Sequence, residues 1–266
     1  MAGEIMDKNE YHFVLVHGDC HGAWCWYKLT TLLRSAHHKV TALDLAGCGS
    51  DLKRVEEVRS ITDYFEPLML FMEGLPVDER VILVGHSRGG IDISIAMERF
   101  PEKIGAAVFV TASMPGPDLD LPTVSKEFEG RLDSPMDNQY TYSQGKDKPP
   151  TSFLIGPKFL ESKLYQLSPP EDLTLATFLI RPSPLFVNFR CPSKETALTK
   201  ENYGSIPRVY VVCEEDNLMK DMQRWLIDNN PPDEVKVING SDHMAMMSKP
   251  HDLCSCLLEI GNKYCS

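Results

Sequence analysis

Val81-Ile-Leu-Val-Gly-His-Ser-Arg-Gly-Gly90 is the stretch that decides the fold. An apolar, β-branched run leads into Gly85-His86-Ser87-Arg88-Gly89, and an amphipathic helical pattern follows from Ile91. The pattern predicts a strand, a sharp turn and a helix, with a serine at the apex. Glycines on either side leave room for a strained turn that a side chain would block, so the hydroxyl stands clear of the sheet edge. Glycine and serine are common, so the pentapeptide gains meaning only if the rest of the chain supplies a base, an orienting acid and an oxyanion hole.

Outward from this turn, strand and helix patterns alternate. His12-Phe-Val-Leu-Val-His17, Lys39-Val-Thr-Ala-Leu-Asp44 and Ile104-Gly-Ala-Ala-Val-Phe-Val110 read as buried strands. Ala23 to Ser35 and Ile61 to Met72 read as helices, the second with Thr62-Asp63 as its caps. From Ser113 to about Thr199 the alternation stops, prolines multiply, and Gly156–Gln166 and Pro170–Ile180 are amphipathic. That is too long for a loop, so an inserted, mainly helical cap is expected over 113–199. Alternation resumes with Arg208-Val-Tyr-Val-Val-Cys213, Glu234-Val-Lys-Val-Ile238 and a terminal helix from about Pro250 to Tyr264. The expected architecture is one α/β domain, residues 1–112 with 200–266, with a mostly parallel sheet covered on both faces.

At 266 residues the chain can bury a full core, and no apolar run is long enough to span a bilayer. The polar stretch from Met1 to Glu10 does not read as a secretory signal. A net charge of −11 argues against nucleic acid or an anionic membrane as partners. Eight cysteines, at 20, 25, 48, 191, 213, 254, 256 and 265, form no CxxC pair. Reduced thiols in a cytoplasmic protein are expected, and the sequon Asn239-Gly240-Ser241 then has no glycosylation machinery to meet. Oligomeric state is open, with a homodimer as the alternative to a monomer.

A serine hydroxyl needs a base to take its proton, and the base needs an acid to hold its tautomer. Both should lie at the C-terminal ends of the parallel strands, where Ser87 lies. His243 follows the last strand and precedes the final helix, whereas His12, His17, His37, His38 and His251 fit less well. Asp216 follows the strand ending at Cys213; Glu214 and Glu215 are neighbouring alternatives and Asp44 a weaker one. The chain order Ser, Asp, His is that of the α/β-hydrolase architecture. Oxyanion donors should be the backbone N–H of Arg88, the residue after the serine, and one from the loop His17-Gly18-Asp19. This chemistry needs no cofactor and no metal.

The chain resembles the plant methylesterases, which include methyl salicylate and methyl jasmonate esterases and polyneuridine aldehyde esterase, with hydroxynitrile lyases as relatives. The resemblance covers nearly the whole chain. It is carried by His12-Phe-Val-Leu-Val-His-Gly-Asp-Cys-His-Gly-Ala-Trp24, His38-Lys-Val-Thr-Ala-Leu-Asp-Leu45, Val84-Gly-His-Ser87, Tyr203-Gly-Ser205, Asp216, Gln223-Arg-Trp225 and Asp242-His-Met-Ala-Met246. It implies a Ser87–Asp216–His243 triad, oxyanion N–H groups on Asp19 and Arg88, and a serine carboxylesterase acting on the methyl ester of a small plant metabolite. Gly18, Asp19, Arg88, Tyr140 and Met244 are the expected substrate contacts. Hydroxynitrile lyases typically carry Thr or Asn in place of Gly18, and one subgroup has Lys in place of Met244, so cyanohydrin cleavage is not expected. Ester cleavage followed by decarboxylation, or non-hydrolytic chemistry, is the alternative. A small-molecule receptor on a hydrolase scaffold would have lost a triad member, and here all three are present.

The sequence departs from the family at Asp19 and Arg88, where relatives usually carry small or apolar residues. A bare carboxylate 4 Å from a developing oxyanion costs about 4 kcal/mol at an effective dielectric of about 20. That would cancel one oxyanion donor, worth about 2.7–4 kcal/mol. Asp19 therefore either points away or is neutralised by Arg88; an ion pair between them is the expectation set against two solvated side chains.

Overall fold

The computed structural model describes residues 10–186 and 193–265; the readings placed on residues 1–9 and on Cys191 lie outside them. Strands β1 (His12–Val16), β2 (Lys39–Leu43), β3 (Val81–His86), β4 (Ile104–Val110), β5 (Gln139–Thr141), β6 (Ser152–Leu154), β7 (Ser183–Pro184), β8 (Arg208–Cys213) and β9 (Glu234–Ile238) form two sheets. The main sheet has the order β2-β1-β3-β4-β8-β9, and every pairing in it is parallel.

Helices α1 (Tyr27–Ser35), α2 (Ile61–Gly74), α3 (Gly89–Arg99), α4 (Leu121–Arg131), α5 (Pro157–Phe159), α6 (Pro170–Leu179), α7 (Lys220–Asn229), α8 (Ala245–Ser248) and α9 (Pro250–Tyr264) complete the fold. Side chains alternate across a strand, so the continuous apolar runs feed two layers at once. Val14, Val16, Leu83, Phe109 and Tyr210 pack into one layer with α2, α3 and α7. Phe13, Leu15, Val84, Val108 and Val211 pack into the other with α1 and α9. Each fully buried large apolar side chain contributes about 1.5–3 kcal/mol, which makes β1, β3, β4 and β8 the rigid centre.

Helix α2 starts at Ile61 as expected, but its cap lies two residues before Thr62. Ser60 is the N-cap: its Oγ accepts the Asp63 N–H at 3.0 Å, and the Asp63 carboxylate accepts the Ser60 N–H at 3.0 Å. The inserted region holds helices α4 to α6, and it also holds a three-stranded antiparallel sheet, β5-β6-β7, that the sequence reading lacks. Arg181 ties this cap to the core by donating to the carbonyls of Gly49, Asp51 and Lys53. Among the described residues no helix is long and apolar enough to cross a membrane.

The turn from β3 into α3 is a close approach of backbones. A Cβ on Gly89 would lie 2.6 Å from the carbonyl oxygen of His17 and 2.7 Å from that of Val16, and one on Gly85 would lie 2.8 Å from that of Gly89. These neighbours are backbone atoms at the sheet centre and have nowhere to move. We expect Gly89→Ala to lose about 1–3 kcal/mol of stability, the range for overpacking a tight core. A fall in the urea midpoint at constant m-value checks it; an unchanged midpoint would contradict the close approach.

Candidate active site

Ser87 sits at the apex of that turn with φ +54°, a left-handed conformation that costs a non-glycine residue about 1–2 kcal/mol. Three backbone bonds hold it there. Its N–H donates to Val110 at 3.3 Å, and its carbonyl accepts from Gly90 at 3.2 Å and from Ser113 at 2.9 Å. The side chain opens into a cavity of about 390 Å³ between sheet and cap, whose wall also includes His243.

His243 and Asp216 stand where the sequence places them, on loops after β9 and β8. The His243 Nδ1–H donates to Asp216 Oδ2 at 2.8 Å, and both side chains are buried. Asp216 also accepts the hydroxyl of Thr111 on Oδ2 and the N–H groups of Leu218 and Met219 on Oδ1, at 2.7 and 2.8 Å. Burial acts to raise this carboxyl, but the His243 ring and these donors outweigh it and hold Asp216 below the usual carboxylate range. An ionised Asp216 only accepts, so it holds a proton on Nδ1, and in the neutral ring Nε2 is then the acceptor.

The alternative acids are engaged elsewhere. Asp44 accepts from Ala23 N–H at 2.6 Å and from the N–H and hydroxyl of Ser50, and the Glu214 carboxylate accepts from Gly240 N–H at 3.0 Å. Glu215 is exposed. Neighbouring Asp242 fastens the cap beside the base: its Oδ2 accepts from Leu167 N–H and the Ser168 hydroxyl, and its Oδ1 from Met244 N–H.

Three buried histidines hold the loops around the cavity. A carbonyl can only accept, so His86 donates Nε2–H to the His243 carbonyl at 2.9 Å, fixing the backbone of that residue across 157 positions. His17 donates Nδ1–H to the Gly18 carbonyl and accepts the Leu45 N–H on Nε2, pinning the loop after β1. His21 donates Nδ1–H to the Asp19 carbonyl at 2.8 Å and accepts the Tyr165 hydroxyl on Nε2, also at 2.8 Å. Burial lowers all three, His21 to about 4 and His86 well below its usual range. His21 and His86 line the cavity; both fall within stretches that carry the family resemblance, but their bonding roles come from the loop packing.

The expected ion pair is formed. Arg88 Nη1 donates to Asp19 Oδ1 at 2.7 Å and to the Pro184 carbonyl of β7 at 3.2 Å. The guanidinium lies 4.1 Å from the centre of the Tyr64 ring and 5.4 Å from that of Phe186, so it packs against an aromatic pair and is buried. Gly18, Asp19, Arg88 and Tyr140 all line the cavity, Tyr140 at a partly exposed edge. Met244 does not: it is fully buried in the α1/α9 layer, because the backbone after His243 turns at once into α8 and carries the side chain into the core. Of the cap aromatics, Phe128, Phe153, Phe159 and Phe186 line the wall, while Tyr142 and Phe178 are exposed on the surface. Among the described residues no group of three or more His, Cys, Asp or Glu is placed to hold a metal ion.

The model of the alpha/beta hydrolase family matches residues 13–255. Methyl jasmonate esterase 1 of Vitis vinifera is 60% identical over 97% of this chain and 100% of its own length. The chain is an α/β-hydrolase of the plant methylesterase group. Polyneuridine aldehyde esterase of Rauvolfia serpentina is 43% identical over 96% of this chain and 97% of its own. The crystal structure of tomato methylketone synthase I complexed with 2-tridecanone superposes with a TM-score of 0.92 at 50% identity, covering 96% of this hydrolase and 99% of that chain. The fold of this chain, core and cap together, is thus shared with that synthase.

Behind Arg88, one helical turn on in α3, this hydrolase buries Asp92, and neither carboxylate oxygen has a hydrogen-bond partner among the described residues. Burial, with a smaller contribution from Asp19 and against the pull of Arg88, pushes this carboxyl up to about 7. The unfolded chain releases the proton near pH 4, whereas the native protein keeps it to about pH 7, so stability from this group falls as pH rises across that window. We expect Asp92→Asn to stabilise the protein more at pH 8 than at pH 5, measured as the difference in urea midpoint from the parent protein. An equal difference at both pH values would contradict a protonated native Asp92.

Proposed function

We propose that the protein is a serine carboxylesterase that hydrolyses the methyl ester of a small plant metabolite. The observation that carries this reading is a serine held at positive φ in one apolar cavity with a histidine whose Nδ1–H is bonded to a buried, ionised aspartate. Ser87 Oγ attacks the ester carbonyl while His243 Nε2 takes its proton. Asp216 keeps His243 in the tautomer this requires and stabilises the imidazolium that forms.

The oxyanion is received by the backbone N–H groups of Asp19 and Arg88. The Arg88 N–H stands at the start of α3, where helix N–H groups are unpaired along the axis and the macrodipole favours negative charge. The Asp19 N–H enters no hydrogen bond among the described residues, and its loop is held by His17 and His21. Each such donor is worth about 2.7–4 kcal/mol at the transition state. His243 then protonates the departing methanol, and water, activated by the same imidazole, releases the acid. Pairing with Arg88 is what makes a carboxylate tolerable this close to the reacting carbonyl.

The similar proteins are named for methyl jasmonate and polyneuridine aldehyde, which supports a compact methyl ester as the substrate class. A cytoplasmic setting fits the seven described cysteines, all free and six of them buried. We expect Ser87→Ala to lower methanol release from methyl esters at least about 10³-fold with an unchanged circular dichroism spectrum. Full activity in that variant would overturn the reading. Product analysis by mass spectrometry should find the free acid; a decarboxylated product formed on the enzyme would replace simple hydrolysis with the alternative chemistry.

A further inference from the structure

We infer that Thr111 is a positioning residue of the esterase site: it couples the nucleophile's turn to the triad acid by holding Asp216 Oδ2 against His243. This role rests on the esterase reading and adds to it a residue, outside the triad, on which turnover depends.

Thr111 directly follows β4, and its φ of +38° is left-handed, a setting that β-branched residues rarely adopt. The bonds around it show what this bend achieves. Val110 accepts the Ser87 N–H at 3.3 Å, and Ser113 donates its N–H to the Ser87 carbonyl at 2.9 Å. Between them, Thr111 donates its N–H to the carbonyl of Val211 at 2.9 Å, and the Ala112 carbonyl accepts the hydroxyl of Tyr210 at 3.0 Å. The outer residues of Val110–Ser113 therefore hold the nucleophile, and the inner ones hold β8, the strand that leads to the acid. Gly90 makes room for the segment, since a Cβ there would lie 2.0 Å from the Ser113 carbonyl oxygen.

The Thr111 side chain completes the link. Its hydroxyl donates to Asp216 Oδ2, the same oxygen that takes the His243 Nδ1–H at 2.8 Å. Oδ1 takes the N–H groups of Leu218 and Met219, at 2.7 and 2.8 Å. Each carboxylate oxygen thus has a pair of donors, which fills a group that only accepts when ionised. Thr111 and Asp216 are both fully buried, so bulk water does not replace a donor that is lost.

Without the hydroxyl, Oδ2 is held by His243 alone, the very group it has to aim. The carboxylate then swings with the imidazole, and Nε2 loses its aim at Ser87 Oγ. Misplacing a reacting group by about 1 Å costs about 10²-fold in rate. The imidazolium forms only on the way to the transition state, so the loss falls on kcat rather than on KM.

The test measures kcat and KM for hydrolysis of 4-nitrophenyl acetate. Thr111→Val keeps the branch at Cβ and removes the donor; kcat should fall at least about tenfold, with KM within about twofold. Thr111→Ser keeps the donor and should stay within about threefold of the parent protein. Asp216→Ala is itself slowed on the order of 10⁴-fold, and adding Thr111→Val to it should cost less than about twofold more, because the partner is gone. A merely structural role would lower the rate in both backgrounds, and serine would not rescue it.

Parent-like turnover in Thr111→Val, a Thr111→Ser as slow as Thr111→Val, or a loss undiminished beside Asp216→Ala overturns the positioning role and leaves the esterase standing. A parent protein inert to the ester, or full activity in Asp216→Ala, refutes the triad and the role of Thr111 with it. Should Thr111→Val fail to fold, Thr111→Ala takes its place. Failing both, a crystal structure of the parent protein decides: Thr111 Oγ1 turned away from Asp216 Oδ2 overturns the role, and Oγ1 bonded to it upholds it.

Discussion

The site depends on one constraint: a serine must be held in a left-handed backbone conformation at the point where a central strand becomes a helix. That conformation is unfavourable for Ser87 on its own, and the surrounding backbone imposes it. Gly85 and Gly89 allow α3 to press against the ends of β3 and β1 closely enough for Val110 and Ser113 to bond the serine's own backbone. Strand order does the rest. With β3 flanked by β1 and β4, and β8 next in line, the loops carrying Asp19, Ser87 and Asp216 emerge side by side, and His243 arrives from edge strand β9. His86 then couples nucleophile and base directly by bonding the backbone of His243 from the position before Ser87.

The second organising feature is charge inside an apolar cavity. A buried guanidinium is costly to desolvate unless it is paired and packed. Here Arg88 has a carboxylate at 2.7 Å, a carbonyl of the cap strand β7 and an aromatic face. The same contacts join core to cap, since Pro184 belongs to the inserted region and Asp19 to the loop after β1. Removing the charge of either partner therefore acts on cavity shape as well as on electrostatics. Asp92 lies behind them, and burial pushes its carboxyl up to about 7, so the buried acid stays largely protonated instead of competing for Arg88.

Much of this was legible before any coordinates. The β-branched runs, the glycine spacing around Ser87 and the chain order of Ser87, Asp216 and His243 depend on local chemistry and topology, which the sequence carries openly. The cap sheet was not legible, because β5 and β6 have three residues each and β7 two, one of them Pro184; such pieces are too short to show a period of two. Met244 was misplaced because its neighbour His243 points into the cavity while the backbone turns beneath it into α8. Asp92 reads in sequence as an ordinary acidic residue in the first turn of a helix, and only tertiary packing buries it. His21 and His86 gain their roles from carbonyls far along the chain or across a turn, a kind of contact with no spacing to reveal it.

The central claim, that Ser87 is the nucleophile of an acyl-transfer cycle, is tested most directly by trapping the intermediate. Acid-quenching the protein during turnover of a methyl ester, followed by intact-mass and peptide-level mass spectrometry, should reveal a mass increase equal to the acyl group. The account predicts that the added mass lies on the peptide containing Ser87, at that residue, and disappears as substrate is exhausted. An acyl group attached to a different residue, or turnover that leaves Ser87 unmodified under conditions where the ester is rapidly consumed, would contradict it.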